Sequence, residues 1–219
     1  MRPTVVPSSH PVFRATPFGV VAVLWAPGRD GAEVCRLWLP RPERLAREAV
    51  AAVCPGVPAA GCAAISALLD QVEALLNGAA VSFTLGGLRL DRCSAFQQRI
   101  LRATHAIPRG RVSTYRLLAR QAGAPGGARA AGMALAANPF PLVIPCHRVV
   151  RSGGALGGYG GGAAMKRALL ALEGMPFRDA AHVLCGPEFG GNPARPPPHS
   201  EDSLEAGLNT GRLPFEFTL

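Results

Sequence analysis

A cysteine followed by two basic side chains is the group in this sequence best suited to chemistry. Cys146, His147 and Arg148 come directly after Pro145. A thiol attacks carbon as its thiolate, which is scarce near pH 7 without a base or a positive charge nearby. His147 is the candidate base, and the charge of Arg148 would favour the ionised sulfur. Because neighbours on a strand point to opposite faces, we predict a turn here, which would let the sulfur and the imidazole meet.

One acidic residue is available to orient His147. Glu173 is the only carboxylate between residues 92 and 178. The sequence therefore predicts a relay in which Glu173 holds His147 and His147 activates Cys146. The alternative is that Glu173 only pairs with a neighbouring basic residue, Arg167 or Arg178.

The charge of the chain, +9 in total, is unevenly distributed. Residues 1–91 carry +1, residues 92–178 carry +12, and residues 179–219 carry −4. A basic segment with a single acid is typical of proteins that bind polyanions, and nucleic acid is the candidate partner. The same segment contains Cys146, so the proposed chemistry and the proposed binding surface coincide.

The sequence indicates three parts, which are residues 1–91, 92–178 and 179–219. In the first, two apolar runs around a Pro-Gly turn predict a β-hairpin, and two helices follow, over 43–53 and 63–76. Short edge strands are expected over 81–85 and 88–90. This pattern predicts a small α/β domain. The last part is acidic and rich in proline, and we expect it to be disordered.

The second part is predicted to be mostly α-helical. Ser94 is the expected N-cap of a helix over 95–104, and a closing helix is expected over 166–173. Between them, helices over 115–121 and 128–137 are joined by a glycine-rich turn, which suggests a helix-turn-helix. The second of these offers one long polar side chain, Arg129, so it is poorly suited to reading bases. Its Ala and Gly surface favours close approach to DNA, and the alternative is tight packing in a core.

The segment after the thiol, residues 151–162, is two-thirds glycine and alanine. Glycine permits positive φ angles and close approach to a flat ligand. A flexible linker is the alternative, but Tyr159 in this segment favours the wall of a pocket.

These motifs carry a resemblance to a known family. From Phe96 to Phe177 the chain resembles the C-terminal domain of the O6-alkylguanine-DNA alkyltransferases, also called methylated-DNA–protein-cysteine methyltransferases. The shared motifs are Phe96-Gln97-Gln98, Val112-Ser113-Thr114-Tyr115, Ala128-Arg129-Ala130, Asn138-Pro139, Ile144-Pro145-Cys146-His147-Arg148-Val149-Val150, Gly158-Tyr159 and Leu172-Glu173-Gly174. Residues 1–91 are similar to the family's variable N-terminal domain only in length and order of elements.

The resemblance implies a role for each matched residue in the site. Cys146 would accept the alkyl group, with His147 reaching it through a water and Glu173 holding His147. Asn138 would brace the turn. Tyr115 would donate to N3 of an extruded guanine, and Arg129 would take the vacated place in the base stack. The carbonyls of Cys146 and Val149 would accept from the guanine amino group. Other positions expected at substrate or DNA are Ser113, Thr114, Ala128, Ala130, Arg148, Tyr159 and Gly160.

One position departs from the family. Ser or Arg often follows the tyrosine of the glycine-rich loop there, whereas this chain has Gly160, so only a backbone N–H remains to donate to guanine O6. The family's N-terminal zinc, where present, has no matching ligands here, and the scattered cysteines show no metal-binding spacing.

The expected function is single-turnover transfer of an alkyl group from O6 of guanine in double-stranded DNA to Cys146, without a cofactor. The protein is expected to be monomeric and cytoplasmic (nuclear in a eukaryote), with no membrane association. Two other classes remain open. One is a non-catalytic sensor of alkylated DNA, although such relatives lack the cysteine. The other is a cysteine hydrolase, which would need neither the basic surface nor Arg129.

Overall fold

The computed structural model describes residues 8–184, which begin with an antiparallel sheet. The sheet contains β1 (His10–Thr16), β2 (Gly19–Gly28) and β3 (Gly31–Arg41), in that order. The predicted hairpin is confirmed as β2 and β3, which pair up to Gly28 opposite Gly31. Gly31 has φ +128°, a conformation open to glycine. Strand β1 was not predicted from the sequence.

The sheet is buried on both faces, and alternation along its strands decides what each face contacts. Val21, Val23 and Trp25 of β2 enter the main core of the molecule. Ala22 and Leu24 point the other way and form a smaller core with Val50 and Cys54. Leu37 and Leu39 of β3 also face the main core, so the hairpin supplies one wall of it.

Two helices follow the sheet, as predicted. Helix α1 (Glu43–Ala51) begins after Pro42 and covers the smaller core, whereas α2 (Ala63–Leu76) packs its apolar side into the main core. The strands expected over 81–85 and 88–90 are wrong. Within residues 8–184, the only strand-like pairing of this stretch is an isolated bridge between Leu88 and Val34 of β3.

Four helices dominate the second part. They are α3 (Ala95–His105), α4 (Tyr115–Gln121), α5 (Ala128–Ala136) and α6 (Gly162–Leu172). The first three have bounds within one residue of those predicted, whereas the closing helix begins four residues earlier than expected. Ser94 caps α3 by accepting from the Gln97 N–H at 3.2 Å, as expected. A short parallel pair of strands, β4 (Ser113–Thr114) and β5 (Val149–Val150), was not predicted. It joins the start of α4 to the residues just after Cys146.

The two parts share one hydrophobic core rather than packing as separate units. Val23 and Leu37 of the sheet belong to the same buried cluster as Ile144 and Leu169. The Leu37 N–H donates to the carbonyl of Pro139 at 2.8 Å, which ties β3 to the segment leading to Cys146. The sheet therefore supports the residues around the thiol directly.

The acidic tail was expected to be disordered over residues 179–219. Its residues from 185 onward lie outside the described range. Residues 179–184 are described and pack against the second part. His182 forms an isolated antiparallel β-bridge with Ala155, and Val183 forms another with Phe177. The Val183 side chain is buried.

Candidate active site around Cys146

Cys146 lies on a tight turn, as the sequence predicted. Residues Cys146–Arg148 form a single turn of 3-10 helix, in which the Arg148 N–H donates to the Pro145 carbonyl at 2.9 Å. Asn138 braces the approach to this turn. Its Nδ2 donates to the Ile144 carbonyl at 3.1 Å, and its Oδ1 accepts from the Phe140 N–H at 3.0 Å. Both ends of the amide are thus used to hold the chain that presents the thiol.

The Cys146 side chain lines a cleft of about 390 Å³. Helix α5 supplies one side of this cleft, the glycine-rich loop supplies another, and Tyr115 at the start of α4 a third. The lining residues are Leu39, Tyr115, Gly132, Leu135, Ala136, Asn138, Pro141, Cys146, Gly158, Tyr159 and Gly160. The volume of the cleft lies within the range of small-molecule sites in proteins, about 300–1,000 Å³.

His147 and Glu173 form the hydrogen-bonded pair that the relay requires. His147 Nε2 lies 2.9 Å from Glu173 Oε1, and both side chains are buried. Burial lowers the pKa of His147, although Glu173 opposes that effect, so the imidazole is neutral near pH 7. A carboxylate accepts, so the imidazole proton is on Nε2. Nδ1 is left as a buried acceptor with no hydrogen-bond partner among residues 8–184.

Arg148 completes this cluster and does not face DNA. Its Nη2 donates to Glu173 Oε1 at 2.8 Å, its Nε to Oε2 at 2.9 Å, and its Nη1 to the Ile107 carbonyl at 2.6 Å. The residue is 7% exposed. The predicted contact with substrate or DNA is therefore corrected, because the guanidinium is fully used inside the protein. Neither Arg167 nor Arg178, the alternatives considered for Glu173, is its partner.

Competing effects set the ionisation of Glu173. Burial alone would raise its pKa, but the hydrogen bonds from His147 and Arg148 outweigh it and lower the pKa to about 2. Glu173 is therefore a carboxylate at any physiological pH. It accepts from His147 Nε2 and so fixes one tautomer of the imidazole. Its part in a relay to Cys146 stays a prediction.

The thiol of Cys146 rests in its protonated form. Burial raises its pKa, and the Asn138 side chain and the positive charge of Lys166 oppose that rise only in part. The thiol therefore needs a base when it reacts, and neutral His147 is the adjacent residue suited to that role. The expectation that Arg148 favours the thiolate is not supported, since its charge is neutralised by Glu173.

Lys166 is a buried charged residue next to the site that was not singled out from the sequence. It is fully buried, and its Nζ donates to the carbonyls of Val149 at 2.6 Å and Leu156 at 2.5 Å. Burial lowers its pKa to about 8, and a negative charge on the Cys146 sulfur, present only when the thiol ionises, opposes this effect. The available signal was that this is the only lysine of the chain, set in an otherwise apolar helix face.

Two tyrosines flank the cleft, as predicted. Burial raises the pKa of Tyr115 and raises that of Tyr159 well above its ordinary value, so both hydroxyls remain protonated donors. The Tyr159 ring packs edge-on against His147, with 6.4 Å between ring centroids. Gly160, next to it, is exposed at the edge of the cleft.

The remaining predicted contact residues divide into buried and exposed groups. Ser113, Thr114 and Val149 are buried, so DNA would not reach their side chains. Thr114 instead caps α4 by accepting from the Leu117 N–H at 3.2 Å, and the Val149 carbonyl accepts from Lys166. On α5, Arg129 and Ala130 are exposed and Ala128 is half-buried. The exposed side of α5 lies beside the cleft that holds Cys146.

Within residues 8–184, no three His, Cys, Asp or Glu side chains gather in a way that could hold a metal ion. In the same range, none of the helices combines the length and apolar character that crossing a bilayer requires.

Residues 95–175 match the family model of the DNA-binding domain of 6-O-methylguanine DNA methyltransferase. Methylated-DNA–protein-cysteine methyltransferases of Methanothermobacter thermautotrophicus and Mycobacterium bovis are 48% and 46% identical over 112 and 111 residues. These matches cover 51% and 50% of this chain. The chain spans 62% and 66% of the length of these two relatives.

The fold is similar to solved structures over a larger share of the chain. The crystal structure of Mycobacterium tuberculosis O6-methylguanine methyltransferase is 35% identical with a TM-score of 0.59, and the match covers 75% of this chain and 92% of that one. The structure of the M. tuberculosis protein in complex with DNA gives 36% identity and a TM-score of 0.60 over the same shares.

Proposed function

The chain belongs to the methylated-DNA–protein-cysteine methyltransferase family, and on this premise we propose that it repairs DNA by moving an alkyl group from O6 of guanine to Cys146. The observation that carries the proposal is a buried, neutral His147 held by Glu173 beside a thiol that opens into a cleft. The substrate is alkylated guanine in double-stranded DNA, and the protein acts on it as a monomer.

The reaction is a direct displacement at the alkyl carbon. The Cys146 proton passes to Nδ1 of His147 through a bridging water, and Sγ attacks the carbon attached to O6. The new S–C bond forms as the C–O6 bond breaks, and the electron pair of that bond leaves with guanine. The proton taken from sulfur passes from His147 to the departing guanine, which leaves as a neutral base. Tyr115 donates to N3 and the Gly160 N–H to O6, which stabilises the leaving group.

Each molecule acts once. The product on the protein is a thioether, and the site contains no group that would break an unactivated S–C bond. A cysteine hydrolase would use the same three residues but would turn over, and a sensor of alkylated DNA would not react at all. The intact mass of the protein after incubation with an O6-methylguanine duplex distinguishes these three classes. A gain of one methyl group per molecule, with no further turnover, supports the transferase.

DNA binding is assigned to α4 and α5, which form a helix-turn-helix joined by residues 122–127. The small residues on the exposed side of α5 would let its backbone enter a minor groove. Exposed arginines on the neighbouring helix, Arg116 and Arg120, suit contacts with phosphates. This binding offsets the cost of extruding the target base, roughly a few kcal/mol.

Arg129 is proposed to fill the gap left by the extruded guanine. An Arg129→Ala variant is expected to repair O6-methylguanine in duplex DNA at least tenfold more slowly, because the extruded state loses its support. Its reaction with free O6-benzylguanine, which needs no extrusion, should stay within about twofold of the wild type. The measurement is the ratio of the two rates at saturating DNA.

An Arg120→Ala variant is the matched control, since it removes the same charge from the neighbouring helix. This variant should bind DNA more weakly and with a smaller dependence on salt. The ratio of the duplex rate to the free O6-benzylguanine rate at saturating DNA should not change. If Arg129→Ala behaves in the same way, Arg129 is a phosphate contact and its proposed role is wrong.

A further inference from the structure

One wall of the reactive cleft is supplied by the N-terminal sheet. Leu39, on β3, lines the same cleft as Cys146 and is only 7% exposed. Every other lining residue lies between positions 115 and 160. A single leucine from the part of the chain without evident chemistry therefore reaches the reacting space.

Leu39 is in contact with the glycine-rich loop at Gly160. A Cβ atom added to Gly160 would lie 3.3 Å from Cδ1 of Leu39, closer than an ordinary van der Waals contact. The leucine methyl group thus occupies the space into which a side chain at position 160 would project. The two positions are complementary, because a bulky residue at one requires a small residue at the other.

The position of Gly160 decides which edge of the substrate Leu39 would face. In the proposed reaction the Gly160 N–H donates to guanine O6, which is the atom that carries the alkyl group. A side chain packed against Gly160 therefore lies at the O6 edge of the base. The outer end of a large alkyl substituent would meet Leu39, whereas a methyl group would remain close to Cys146.

Leu39 lies at a shift in the pairing register between β2 and β3. The next inward-facing residue of β3, Leu37, lies opposite Val23 in the sheet and donates its N–H to the Pro139 carbonyl at 2.8 Å. This hydrogen bond anchors β3 beside the segment that leads to Cys146, so the strand that carries Leu39 stays next to the cleft.

We propose that Leu39 is a specificity-determining residue that limits the size of the alkyl group accepted by Cys146. The inference rests on the proposed alkyl transfer and adds a range of substrates to it. Small O6-alkyl groups are accepted well, and bulky ones such as benzyl are accepted less well because of Leu39.

The test compares two duplexes of the same sequence, one with O6-methylguanine and one with O6-benzylguanine. A Leu39→Ala variant should raise the ratio of benzyl to methyl transfer rates by roughly tenfold or more, since even one methylene in an apolar pocket changes discrimination by about this factor. Because both rates are measured on the same variant, a loss of activity that affects both substrates equally cancels in this ratio. A Leu39→Phe variant should lower the same ratio.

A Leu24→Ala variant is the matched control. Leu24 is 3% exposed on the neighbouring strand but faces the opposite core, so the same truncation destabilises the sheet without widening the cleft. Its rate ratio should equal that of the wild type. Thermal unfolding establishes which variants are folded, and Leu39→Phe tests the proposal if Leu39→Ala is not.

The proposal is overturned if a folded Leu39 variant has the same ratio of benzyl to methyl rates as the wild type. It is also overturned if Leu24→Ala raises this ratio as much as Leu39→Ala does. A wild-type protein that transfers neither group contradicts the proposed function itself, which is a separate outcome. Adding Gly160→Ala gives a further check. The added methyl group should lower the ratio of benzyl to methyl transfer rates when Leu39 is present. In combination with Leu39→Ala it should lower this ratio much less.

Discussion

A Cys146→Ala variant is expected to take up no methyl group from O6-methylguanine DNA, whereas the wild-type protein takes up one. The side chain that forms the new S–C bond is absent, and the neutral His147 beside it cannot replace a thiolate as acceptor. Intact mass followed by peptide mapping gives the measurement. Binding to unmodified duplex should be retained, because the exposed arginines are unchanged.

Cys62→Ala is the matched control for this experiment. Cys62 is also a partly exposed thiol, but it lies at the start of α2, outside the cleft. This variant should be methylated at the wild-type rate on Cys146. Full methylation of Cys146→Ala, or a methyl group found on Cys62 of the wild type, would refute the assignment of the acceptor.

A Glu173→Gln variant should be less stable than the wild type by about 3–5 kcal/mol at pH 7. The change keeps the size of the side chain but leaves the buried Arg148 without its counter-charge, and removing one partner of a buried pair is costly. Chemical denaturation measures the difference. Glu48→Gln serves as control, since its pair with Arg44 is exposed and contributes at most about 1 kcal/mol.

The same variant should also alter the response to acid. The pKa of Glu173 in the folded protein is about 2, below its ordinary value of 4.5. Its contribution to stability is therefore complete above pH 4.5 and is lost as the pH falls towards 2. The difference in free energy of unfolding between the wild type and Glu173→Gln should therefore shrink as the pH falls from 4.5 to 2. Parallel stability curves between pH 4.5 and 2 would show that the pairing is not coupled to protonation.

Local patterns were sufficient to predict most helices and the hairpin. The bounds of α2 and α4 agree with the prediction because apolar spacing and a glycine just past the C-terminus mark both helices, and Thr114 also caps α4. The prediction missed β1 and placed strands incorrectly over 81–90, because strand formation there depends on pairing with distant residues. Strand pairing is a long-range property, and short apolar runs do not specify it.

The candidate site shows the same division. The turn at Cys146 and the pairing of His147 with Glu173 followed from residue type and from the scarcity of acids in the basic segment. The sequence does not reveal that Arg148 is neutralised inside, because burial is decided by Ile107 and Glu173 from other elements. Nor does it reveal that Leu39 reaches the cleft, because more than 100 positions separate it from Gly160.

The hydrophobic core shared by the hairpin and the thiol-bearing segment has a consequence for how the molecule unfolds. Residues on either side of position 91 bury each other, so neither part keeps its apolar surface covered when the other melts. Heating should therefore produce one cooperative transition rather than two. Damage to the sheet would then remove the thiol's environment as effectively as damage beside the thiol.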